Sequence, residues 1–381
     1  MHPVKIGRYA STAFNVLRKP LRMRNAPIHL ILENTTVCPF SCIMCSRARE
    51  VEDPHHMAFD LYRRIIDEVD PLHLYLSAAG EPLLHPEQPR MIRYASEKGI
   101  KTCLVTTLAA HAFPLEELVR SGLDLLKVSM DGASEETYRR IRGTDFHPRV
   151  LQNVARIGEI KKRTGSPTPF IRFQFVVQKE NFREAAEIVR LAHRCGVGAV
   201  FFKPLSIFRI EDLVADLVGG IDRGEFETSL REARRVAREL KVRTNLDDFL
   251  SYLLPRHWEA YAGGEQFRTL ARHCIVPWFS TFVRIHGEVS FCCYAKIQDA
   301  KVGSMAEESF ERIWAGDRYR AMRAVLRTGG VPMPDCRLCV PQRLSHLFNY
   351  WKIIPGYHGC PRAASRRFPE TPLCAPRRSE Q

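Results

Sequence analysis

Residues 38–45 read Cys38-Pro39-Phe40-Ser41-Cys42-Ile43-Met44-Cys45 and directly follow the β-rich run Ile28-Glu33. Three thiolates spaced C-x3-C-x2-C on one loop can hold three irons of a cubane cluster. Because no fourth cysteine lies close by in the sequence, the fourth iron would stay open to a ligand from outside the protein. A structural zinc site would instead need four closed ligands, commonly from two paired cysteines.

Around this loop, residues 28–205 alternate between short β-rich runs and stretches with helical spacing. The runs are Ile28-Glu33, His73-Ala78, Thr102-Thr107, Leu125-Met130, Phe170-Gln178 and Ala199-Lys203. Several are nearly continuous apolar segments, which is typical of parallel strands buried on both faces. The alternation predicts an α/β fold with a parallel sheet, and six units predict a partial (β/α)6 TIM-like barrel. Ligands of such a sheet bind at the carboxyl ends of its strands.

The cysteine loop resembles the signature of the radical S-adenosylmethionine (SAM) superfamily, and other motifs of that family follow in order. They are Ala79-Gly80-Glu81-Pro82, similar to G-G-E-P, then Thr106-Thr107-Leu108, then Ser129-Met130-Asp131-Gly132, similar to S-x-D-G, and Ile141-Arg142-Gly143. Each of the first three follows a β-rich run. Ala79 departs from the family's first glycine, and Leu108 stands where relatives often have the glycine of T-N-G.

The resemblance implies a set of residues that contact SAM, whose amine and carboxylate would chelate the open iron. They are Met44, Ala79, Gly80, Glu81, Pro82, Thr107, Ser129, Asp131 and Arg142. Met44 would lie near the adenine, and Ser129 and Asp131 would lie near the ribose and the methionyl moiety. The main chain of residues 79–82 would accept hydrogen bonds from the SAM amino group. Arg142 would pair with the SAM carboxylate, a role suited to a bidentate contact.

A second set of cysteines lies further along the chain. The predicted ligands are Cys274, Cys292, Cys336 and Cys339, with Cys293 as an alternative to Cys292. A hairpin with strands at Val283-Ile285 and Glu288-Phe291, turning at residues 286–287, separates the first two. A helix over 307–326 separates this hairpin from the last two. This arrangement resembles the SPASM/twitch extension of radical SAM enzymes, which implies a small C-terminal α+β domain with one auxiliary 4Fe-4S cluster. A zinc ribbon is the alternative, and Cys293 is also the candidate catalytic hydrogen donor.

These patterns divide the chain into five parts. They are a basic N-terminal helix or arm (1–27), the partial barrel (28–206), a helical bridge (207–272), the auxiliary-cluster domain (273–341) and a Pro/Arg-rich tail (342–381). The N-terminal part mixes basic and apolar residues. It indicates either an amphipathic helix on an anionic membrane surface or a helix packed on the domain and interrupted by Pro20.

Composition limits the location and the partners of the protein. The 381 residues include twelve cysteines and carry a formal net charge of +14. Neither a signal peptide nor a membrane-spanning run is recognisable, so we expect a cytoplasmic protein with metal-ligating cysteines. The charge indicates an anionic partner or simply a solvated surface. Nucleic acid is not expected as the partner, because basic residues and aromatic residues do not interleave in one stripe.

The resemblance implies an enzyme that cleaves SAM reductively to methionine and a 5′-deoxyadenosyl radical, which then removes a hydrogen from the substrate. We expect a net oxidation, aided by the auxiliary cluster, of a small-molecule, glycan or lipid-linked substrate. Flavodoxin or ferredoxin would supply the electron. One alternative is a maturase that cross-links or epimerises a peptide or protein. An alternative of another class is a non-catalytic zinc or iron-sulfur protein that binds nucleic acid.

Overall fold

The structure is a computed structural model that describes residues 3–47, 51, 53–77, 79–206, 211–261, 273–292, 300–334, 336 and 339. Its strands are β1 (His29–Leu32), β2 (His73–Leu76), β3 (Lys101–Thr106), β4 (Leu125–Ser129), β5 (Phe170–Val177), β6 (Ala199–Pro204), β7 (Arg243–Thr244), β8 (Ser280–Val283), β9 (Glu288–Ser290) and β10 (Lys301–Ser304). Its α-helices are α1 (Pro3–Arg18), α2 (Phe59–Val69), α3 (Gln88–Glu97), α4 (Leu115–Arg120), α5 (Glu135–Arg142), α6 (His147–Thr164), α7 (Ala185–Arg194), α8 (Val214–Val218), α9 (Arg223–Glu239), α10 (Leu246–Asp248), α11 (Leu254–Tyr261), α12 (Phe310–Ala315) and α13 (Asp317–Arg327). Cys293 and the predicted tail lie outside the described residues.

The strands of the described residues form one open sheet in the order β10-β9-β8-β1-β2-β3-β4-β5-β6-β7. Strands β1 to β7 are parallel, and each pairs with the next. This confirms the predicted partial barrel. Strand β8 pairs in parallel with the other edge of β1, and β9 and β10 continue antiparallel. The C-terminal α+β part is therefore built directly onto the first strand of the barrel.

The two faces of the barrel sheet differ in burial. Side chains that face the surrounding helices, such as Leu30, Leu74 and Leu104, are at most 1% exposed. They form the main hydrophobic core. The alternate side chains, which point to the inside of the barrel, include the partly exposed Tyr75 and Cys103. Successive side chains of a strand point to opposite faces, so the inside of the barrel combines these partly exposed residues with buried ones such as Leu125.

Helix α1 packs at the amino-terminal end of the barrel strands. The Tyr9 hydroxyl lies 2.7 Å from His73 Nε2 at the start of β2, and Arg8 Nη1 donates to Asp70 Oδ2 at 2.9 Å. The helix ends at Arg18, before Pro20, because proline cannot continue the hydrogen-bonded turn. The structure thus shows the packed helix, although the opposite face of α1 stays exposed.

The segment after α1 is held by the C-terminal part of the chain. Trp278 Nε1 donates to the Pro20 carbonyl oxygen at 2.9 Å, and Trp314 Nε1 donates to the Asn25 carbonyl oxygen, also at 2.9 Å. Both indoles are almost fully buried, where an indole N–H needs an acceptor. The N-terminal arm is therefore fixed to the second cysteine region.

The structure corrects two predicted elements of that region. The single helix predicted over 307–326 is wrong, because α12 and α13 are separated by Gly316, whose ψ of 169° is extended. A Cβ there would lie 2.8 Å from the Arg312 carbonyl oxygen. The first strand of the hairpin is β8 rather than residues 283–285, and residues 284–287 form the turn, with Gly287 at a φ of 89°. Glycine adopts that φ without strain.

The predicted bridge is mostly helical where it is described. Helices α8, α9 and α11 lie there, together with a π-helical turn at Phe249–Leu253. It also contains β7, which pairs with β6 and lengthens the parallel sheet; two residues of strand are too few to give a sequence pattern. Within the described part of the chain, no helix has the length and apolar character needed to cross a membrane.

Candidate active site

The first cysteine loop lies at the carboxyl end of β1. The Ile43 N–H donates to the Ile141 carbonyl oxygen at 3.0 Å, which fixes the loop to the end of α5, and the Cys45 N–H donates to the Cys42 carbonyl oxygen at 3.0 Å. Cys38 and Cys42 are partly exposed, Cys45 is exposed, and none of the three is in a disulfide. The thiols therefore lie at the edge of the sheet where ligands of parallel strands bind.

The surroundings of the thiols fit a cationic iron centre. Burial raises the pKa of the Cys38 thiol to about 11, so this group needs a neighbouring cation to become a thiolate. Cys42 has such a cation beside it in the protein, since Arg142 Nη1 lies 3.5 Å from its Sγ. Thiolates on a partly exposed loop are the ligands that an iron-sulfur cluster takes.

Arg142 is itself held in a buried ion pair. Its Nη2 donates to Asp131 Oδ2, and Asp131 Oδ1 accepts the Val176 N–H at 2.7 Å. Burial by itself would lower the pKa of the Arg142 guanidinium, but Asp131 and Cys42 raise it above its usual value. The buried Nε of Arg142 has no hydrogen-bond partner among the described residues. The carboxylate of Asp131 is thus occupied by protein groups, whereas Arg142 keeps a donor for a ligand.

The turn after β2 packs against the start of the cysteine loop. A Cβ at Gly80 would lie 2.3 Å from the Thr35 carbonyl oxygen, so only glycine fits there. The Glu81 N–H donates to the Val37 carbonyl oxygen at 2.8 Å. Pro82 then begins a short 3-10 turn. The structure therefore brings this turn next to the cysteine loop, as the order of the motifs predicts.

The Glu81 side chain connects this turn to the end of β3. Its carboxylate accepts the Thr107 N–H and hydroxyl, each at 2.7 Å, and the Leu83 N–H at 3.1 Å. The Thr106 hydroxyl also donates to it. Burial raises the pKa of Glu81 despite these hydrogen bonds. The Thr107 hydroxyl hydrogen is therefore engaged within the protein, which the sequence prediction of a SAM contact did not foresee.

Ser129 and Met44 lie on the same edge of the sheet as the cysteine loop. Ser129 is the last residue of β4, is 7% exposed and is opposite Gln174 of β5. Met44 packs against a small apolar cluster that includes Leu205 and Val176. The predicted contacts to the ribose and the adenine thus share one edge.

Glu33 is a residue of this region that sequence reasoning missed. It is 1% exposed; its Oε1 accepts the Ala79 N–H at 3.3 Å, and its Oε2 accepts the Ile285 N–H at 3.4 Å. Arg284 Nη2 lies 3.4 Å from the same Oε2. Glu33 therefore joins the turn after β2 to the hairpin of the second cysteine region. The sequence signal that could have identified Glu33 is a carboxylate at the end of an apolar run.

The structure brings the second set of cysteines together from distant segments. Burial, together with the neighbouring Cys292 and Cys336, raises the pKa of the Cys274 thiol to about 12. The pKa of Cys339 is raised by burial and by the other three thiols. The Cys339 N–H donates to the Cys336 carbonyl oxygen at 3.2 Å. Such mutual effects on the pKa values require the four sulfurs to be neighbours. The alternative ligand Cys293 lies outside the described residues.

The spacing of the thiols bears on the kind of metal centre. In the part of the chain that the structure describes, no three His, Cys, Asp or Glu side chains converge on a point where one metal ion would sit. Four thiolates around one zinc ion would each lie about 2.3 Å from the metal. The ligands of a cubane bind separate irons and lie further apart. A zinc site and a cubane therefore require different spacings of the four thiols.

Comparison with known proteins identifies the family. Residues 32–192 match the model of the radical SAM superfamily, and residues 274–340 match SPASM, an iron-sulfur cluster-binding domain. The chain belongs to the radical SAM superfamily. As a radical SAM enzyme with a SPASM domain, it binds a 4Fe-4S cluster and SAM, and its SPASM domain binds auxiliary iron-sulfur clusters. The predicted family, enzyme class and cofactors are confirmed, and the non-catalytic alternative has no support.

This radical SAM enzyme is similar to relatives with different activities. A tungsten-containing aldehyde ferredoxin oxidoreductase cofactor-modifying protein of Pyrococcus furiosus is 25% identical over 330 residues, 82% of this chain and 86% of the relative. An AdoMet-dependent heme synthase of Methanosarcina barkeri is 24% identical over 368 residues, 93% of this chain and 98% of the relative. A PqqA peptide cyclase of Granulibacter bethesdensis is 23% identical over 327 residues, 82% of this chain and 79% of the relative.

Solved structures of similar fold are also radical SAM enzymes. SuiB of Streptococcus suis bound to precursor peptide SuiA has a TM-score of 0.60 at 14% identity, covering 85% of this chain and 72% of SuiB. The enzyme anSMEcpe with bound AdoMet has a TM-score of 0.55 at 15% identity, covering 82% of this chain and 89% of that chain. At these identities the likeness concerns the fold.

Proposed function

We propose that this radical SAM enzyme carries out a net two-electron oxidation of its substrate. Cys38, Cys42 and Cys45 would hold the cluster that, with SAM bound, would supply a 5′-deoxyadenosyl radical for removing a hydrogen atom from the substrate. The second thiol set would hold the acceptor for the second electron, and the substrate would lose a proton in the same oxidation. The observation that carries the proposal is the loop of three thiols beside the Arg142–Asp131 pair, together with a second thiol set whose Cys292 directly follows β9 of the same sheet.

The protein's own residues would bind and orient SAM. Cys38, Cys42 and Cys45 would hold three irons and leave the fourth for the amine and carboxylate of SAM. The unpartnered Nε–H of Arg142 supports the predicted contact to the SAM carboxylate, since a charge-assisted hydrogen bond is strong in a buried place. Asp131 would then act by orienting Arg142 rather than by touching the ribose.

Some of the other predicted residues would contact SAM directly, whereas others would only position their neighbours. The Glu81 and Pro82 carbonyl oxygens accept the Leu84 and His85 N–H groups, so the carbonyls of Ala79 and Gly80 are the better candidates for the SAM amino group. Glu81 and Thr107 would position the turns by binding each other. Ser129 and Met44 would contact SAM directly from the edge of the sheet. Such fixed positioning is what the protein contributes to a reaction whose difficult step belongs to the cofactor.

For the auxiliary site we propose one 4Fe-4S cluster held by Cys274, Cys292, Cys336 and Cys339. Full ligation by four thiolates suits electron transfer, since no iron is open for substrate. The mutual pKa effects among these thiols support their acting as one ligand set.

A small-molecule, glycan or lipid-linked substrate is our leading proposal. The partly exposed interior of the barrel is a suitable place for a compact ligand. The heme synthase and the cofactor-modifying protein carry names that refer to such molecules. The alternative is modification of a peptide, which the names of SuiB's ligand and of PqqA peptide cyclase favour. A flavodoxin or ferredoxin would supply electrons.

Anaerobic purification tests the central proposal. We expect about eight irons per chain, as two 4Fe-4S clusters require, a brown chromophore, and formation of 5′-deoxyadenosine when SAM and dithionite are added. Cys195→Ser is the matched control, because Cys195 follows the last residue of α7, at the end of the barrel opposite the carboxyl ends of the strands. Protein that stays colourless after reconstitution, or a reduced cluster that leaves SAM intact, would contradict the proposal.

We further propose a cytoplasmic enzyme that contacts an anionic membrane through the exposed face of α1. Ile6, Phe14 and Leu17 are 51%, 58% and 73% exposed, and Arg18 and Arg22 are exposed beside them. Apolar side chains flanked by cations are typical of helices that lie on anionic lipid. We expect the protein to sediment with phosphatidylglycerol vesicles, and a Phe14→Ser/Leu17→Ser variant to lose binding. Equal sedimentation of the variant would exclude this surface.

A further inference from the structure

One fully buried hydroxyl close to the first cysteine loop makes no hydrogen bond. Tyr138 of α5 is 0% exposed, and its hydroxyl has no partner among the described residues. A buried hydroxyl of this kind destabilises the folded protein, so it indicates a partner that the chain itself does not supply. Phenylalanine would fill the same space without that cost, which makes the hydroxyl the feature to explain.

Tyr138 lies on the same face of α5 as Arg142. Residues four apart on a helix are neighbours on one face, and Arg142 Nη1 lies 3.5 Å from Cys42 Sγ. The cysteine loop is joined to the last turn of the same helix, since the Ile43 N–H donates to the Ile141 carbonyl oxygen at 3.0 Å. Tyr138 is therefore on the side of α5 that faces the three thiols.

The charged groups around the Tyr138 hydroxyl are those of the first site. Burial raises the pKa of Tyr138, Arg142 lowers it, and the charges of Asp131, Cys42 and Glu81 raise it further. Such effects fall off with distance, so these groups are near the hydroxyl. With its pKa raised, the hydroxyl keeps its hydrogen and can act as a donor.

The two carboxylates near this hydroxyl are engaged with other donors. Asp131 binds Arg142 and the Val176 N–H, and Glu81 binds the end of β3 and its own turn. A guanidinium donates hydrogen bonds and accepts none. The remaining source of an acceptor is the sulfur side of the site, where Cys42 would hold an iron-sulfur cluster whose sulfurs accept hydrogen bonds.

The protein also fixes the position of the Tyr138 ring. Its centre lies 5.4 Å from that of the His147 ring, in an edge-to-face arrangement, and a Cβ at Gly132 would lie 2.3 Å from the Tyr138 nitrogen. The first turn of α5 is bound to Glu184, which accepts the Thr137 hydroxyl at 2.7 Å. A donor held in this way is already positioned for its acceptor, as the outer residues of a metal site are.

We propose that the Tyr138 hydroxyl donates a hydrogen bond to a sulfur of the cluster on the first cysteine loop and thereby raises the reduction potential of that cluster. Reduction adds negative charge to the cluster, so a hydrogen bond to its sulfur stabilises the reduced form more than the oxidised form. Tyr138 would make the first cluster easier to reduce by its electron donor. The inference rests on the proposed function, because it adds a positioning residue to the same site.

The reduction potential of the first cluster tests the inference without use of the reaction. The cluster-loaded enzyme is titrated with reductant in the absence of SAM and followed by electron paramagnetic resonance. The first cluster is the one whose signal changes when SAM is added afterwards. Tyr138→Phe should lower its equilibrium constant for reduction about tenfold, as expected for one hydrogen bond to a charged acceptor, which is about 59 mV for one electron. The auxiliary cluster should keep its potential.

Two further variants separate the hydrogen bond from packing. Tyr138→3-fluorotyrosine keeps the hydroxyl and makes it a stronger donor, so it should raise the potential, and it decides the question if Tyr138→Phe takes up no cluster. Tyr62→Phe is the matched control. Tyr62 is also 0% exposed, but its hydroxyl donates to the Met91 carbonyl oxygen at 2.6 Å, between two helices outside the barrel. This control should leave both potentials unchanged.

Two results would overturn the inference. One is that the Tyr138 variants have the potential of the wild type, which would mean that a buried water molecule accepts the hydroxyl hydrogen. The other is a shift that appears only after SAM is added, because SAM would then be the acceptor. A wild type whose cluster signals do not respond to SAM refutes the proposed function. A wild type that responds to SAM, with no shift in the variants, refutes the inference alone.

Discussion

The two cysteine sets differ in how the chain brings them together. The first occupies a single loop, residues 38–45, after one strand. The second is spread over residues 274–339 and converges only because β8, β9 and the segments around α12 and α13 pack together. A local set depends on its loop and on charges beside it, whereas a dispersed set also holds remote segments in place. We therefore expect the same substitution to have different consequences in the two sets.

The largest difference should follow from removing one thiol from each set. Cys42→Ser should abolish SAM cleavage, because three thiolates are the minimum that holds the open-iron cluster. Cys336→Ser should retain cleavage to 5′-deoxyadenosine but lose most product, since the substrate radical would lack its electron acceptor. Iron content, 5′-deoxyadenosine and product, each quantified anaerobically, measure these effects.

Thermal unfolding separates the two sets further. Cys336→Ser should lower the midpoint of the iron-loaded protein more than Cys42→Ser does, because metal binding by a dispersed set contributes to folding. Similar midpoints in both variants, or loss of SAM cleavage in both, would mean that the two sets act as a single unit. The expected difference between a local and a dispersed set would then be wrong.

The charges beside the local set should affect both the stability of the protein and its SAM cleavage. Asp131→Asn leaves the buried Arg142 guanidinium without its carboxylate, and breaking a buried pair in this way costs about 3–5 kcal/mol of unfolding free energy. SAM cleavage should fall at least tenfold as Arg142 loses its orientation. Urea unfolding and SAM cleavage measure the two effects.

Asp145→Asn is the matched control for that substitution. Asp145 pairs with Arg139 on the exposed side of the same helix, α5, and exposed pairs contribute little. We expect this variant to unfold and to cleave SAM like the wild type. If Asp131→Asn behaved in the same way, Arg142 would not depend on its partner.

Local features of the chain could be predicted from the sequence, whereas contacts between distant segments could not. The first set, the six βα units and the order of the SAM motifs could be predicted, because each depends on residues close in the chain. The hairpin turn was predicted for the same reason. The parallel pairing of β8 with β1 could not be, since no local pattern records which distant edge a strand joins.

The side-chain partners inside the site were also beyond sequence reasoning. Asp131 and Thr107 fitted the motifs as SAM contacts, yet Asp131 binds Arg142 and Thr107 binds Glu81. The motif gives the position of a residue but not which of its atoms remain available. Lys127 shows the reverse case, because one cation in an apolar run is a visible signal whose meaning depends on the register with β5.

The third prediction contrasts two buried cations. Arg142 has a carboxylate beside it, which raises its pKa. Burial and the cations Arg172 and Lys203 instead lower the pKa of Lys127, which also contacts the Tyr75 ring and the Cys103 thiol. The pKa of Lys127 is lowered from 10.5 to about 7. Between these values the unfolded chain holds a proton that the folded protein has lost, so this residue makes stability rise with pH.

Lys127→Met isolates that effect. At pH 7 and below, the variant should be more stable than the wild type by up to about 5 kcal/mol. The difference should shrink steadily as the pH rises towards 10.5, where the wild type carries no penalty. Urea unfolding of both proteins at a series of pH values measures it. A difference that is constant with pH would show that the two proteins differ in packing and not in charge.

The smallest predicted effect concerns the residue that joins the two regions. Glu33 binds the turn of the first site through Ala79 and the hairpin of the second through Ile285 and Arg284. Glu33→Gln removes the charge and one acceptor oxygen, which should cost about 1–3 kcal/mol. A double-mutant cycle with Arg284→Met should give a coupling of similar size, because the residues are in contact.

The double-mutant cycle shows whether Glu33 couples the two cysteine regions energetically or whether the regions are only adjacent. The exposed pair Glu116 and Arg120 on α4, treated with the same substitutions, should be additive in unfolding free energy. If the Glu33–Arg284 cycle is additive as well, the hairpin is attached through strand pairing alone. Coupling in the Glu33–Arg284 cycle would show that the contact joins the two regions. If the ratio of product to 5′-deoxyadenosine also falls in Glu33→Gln, SAM cleavage proceeds without matched oxidation of the substrate. The contact then contributes to turnover as well as to stability.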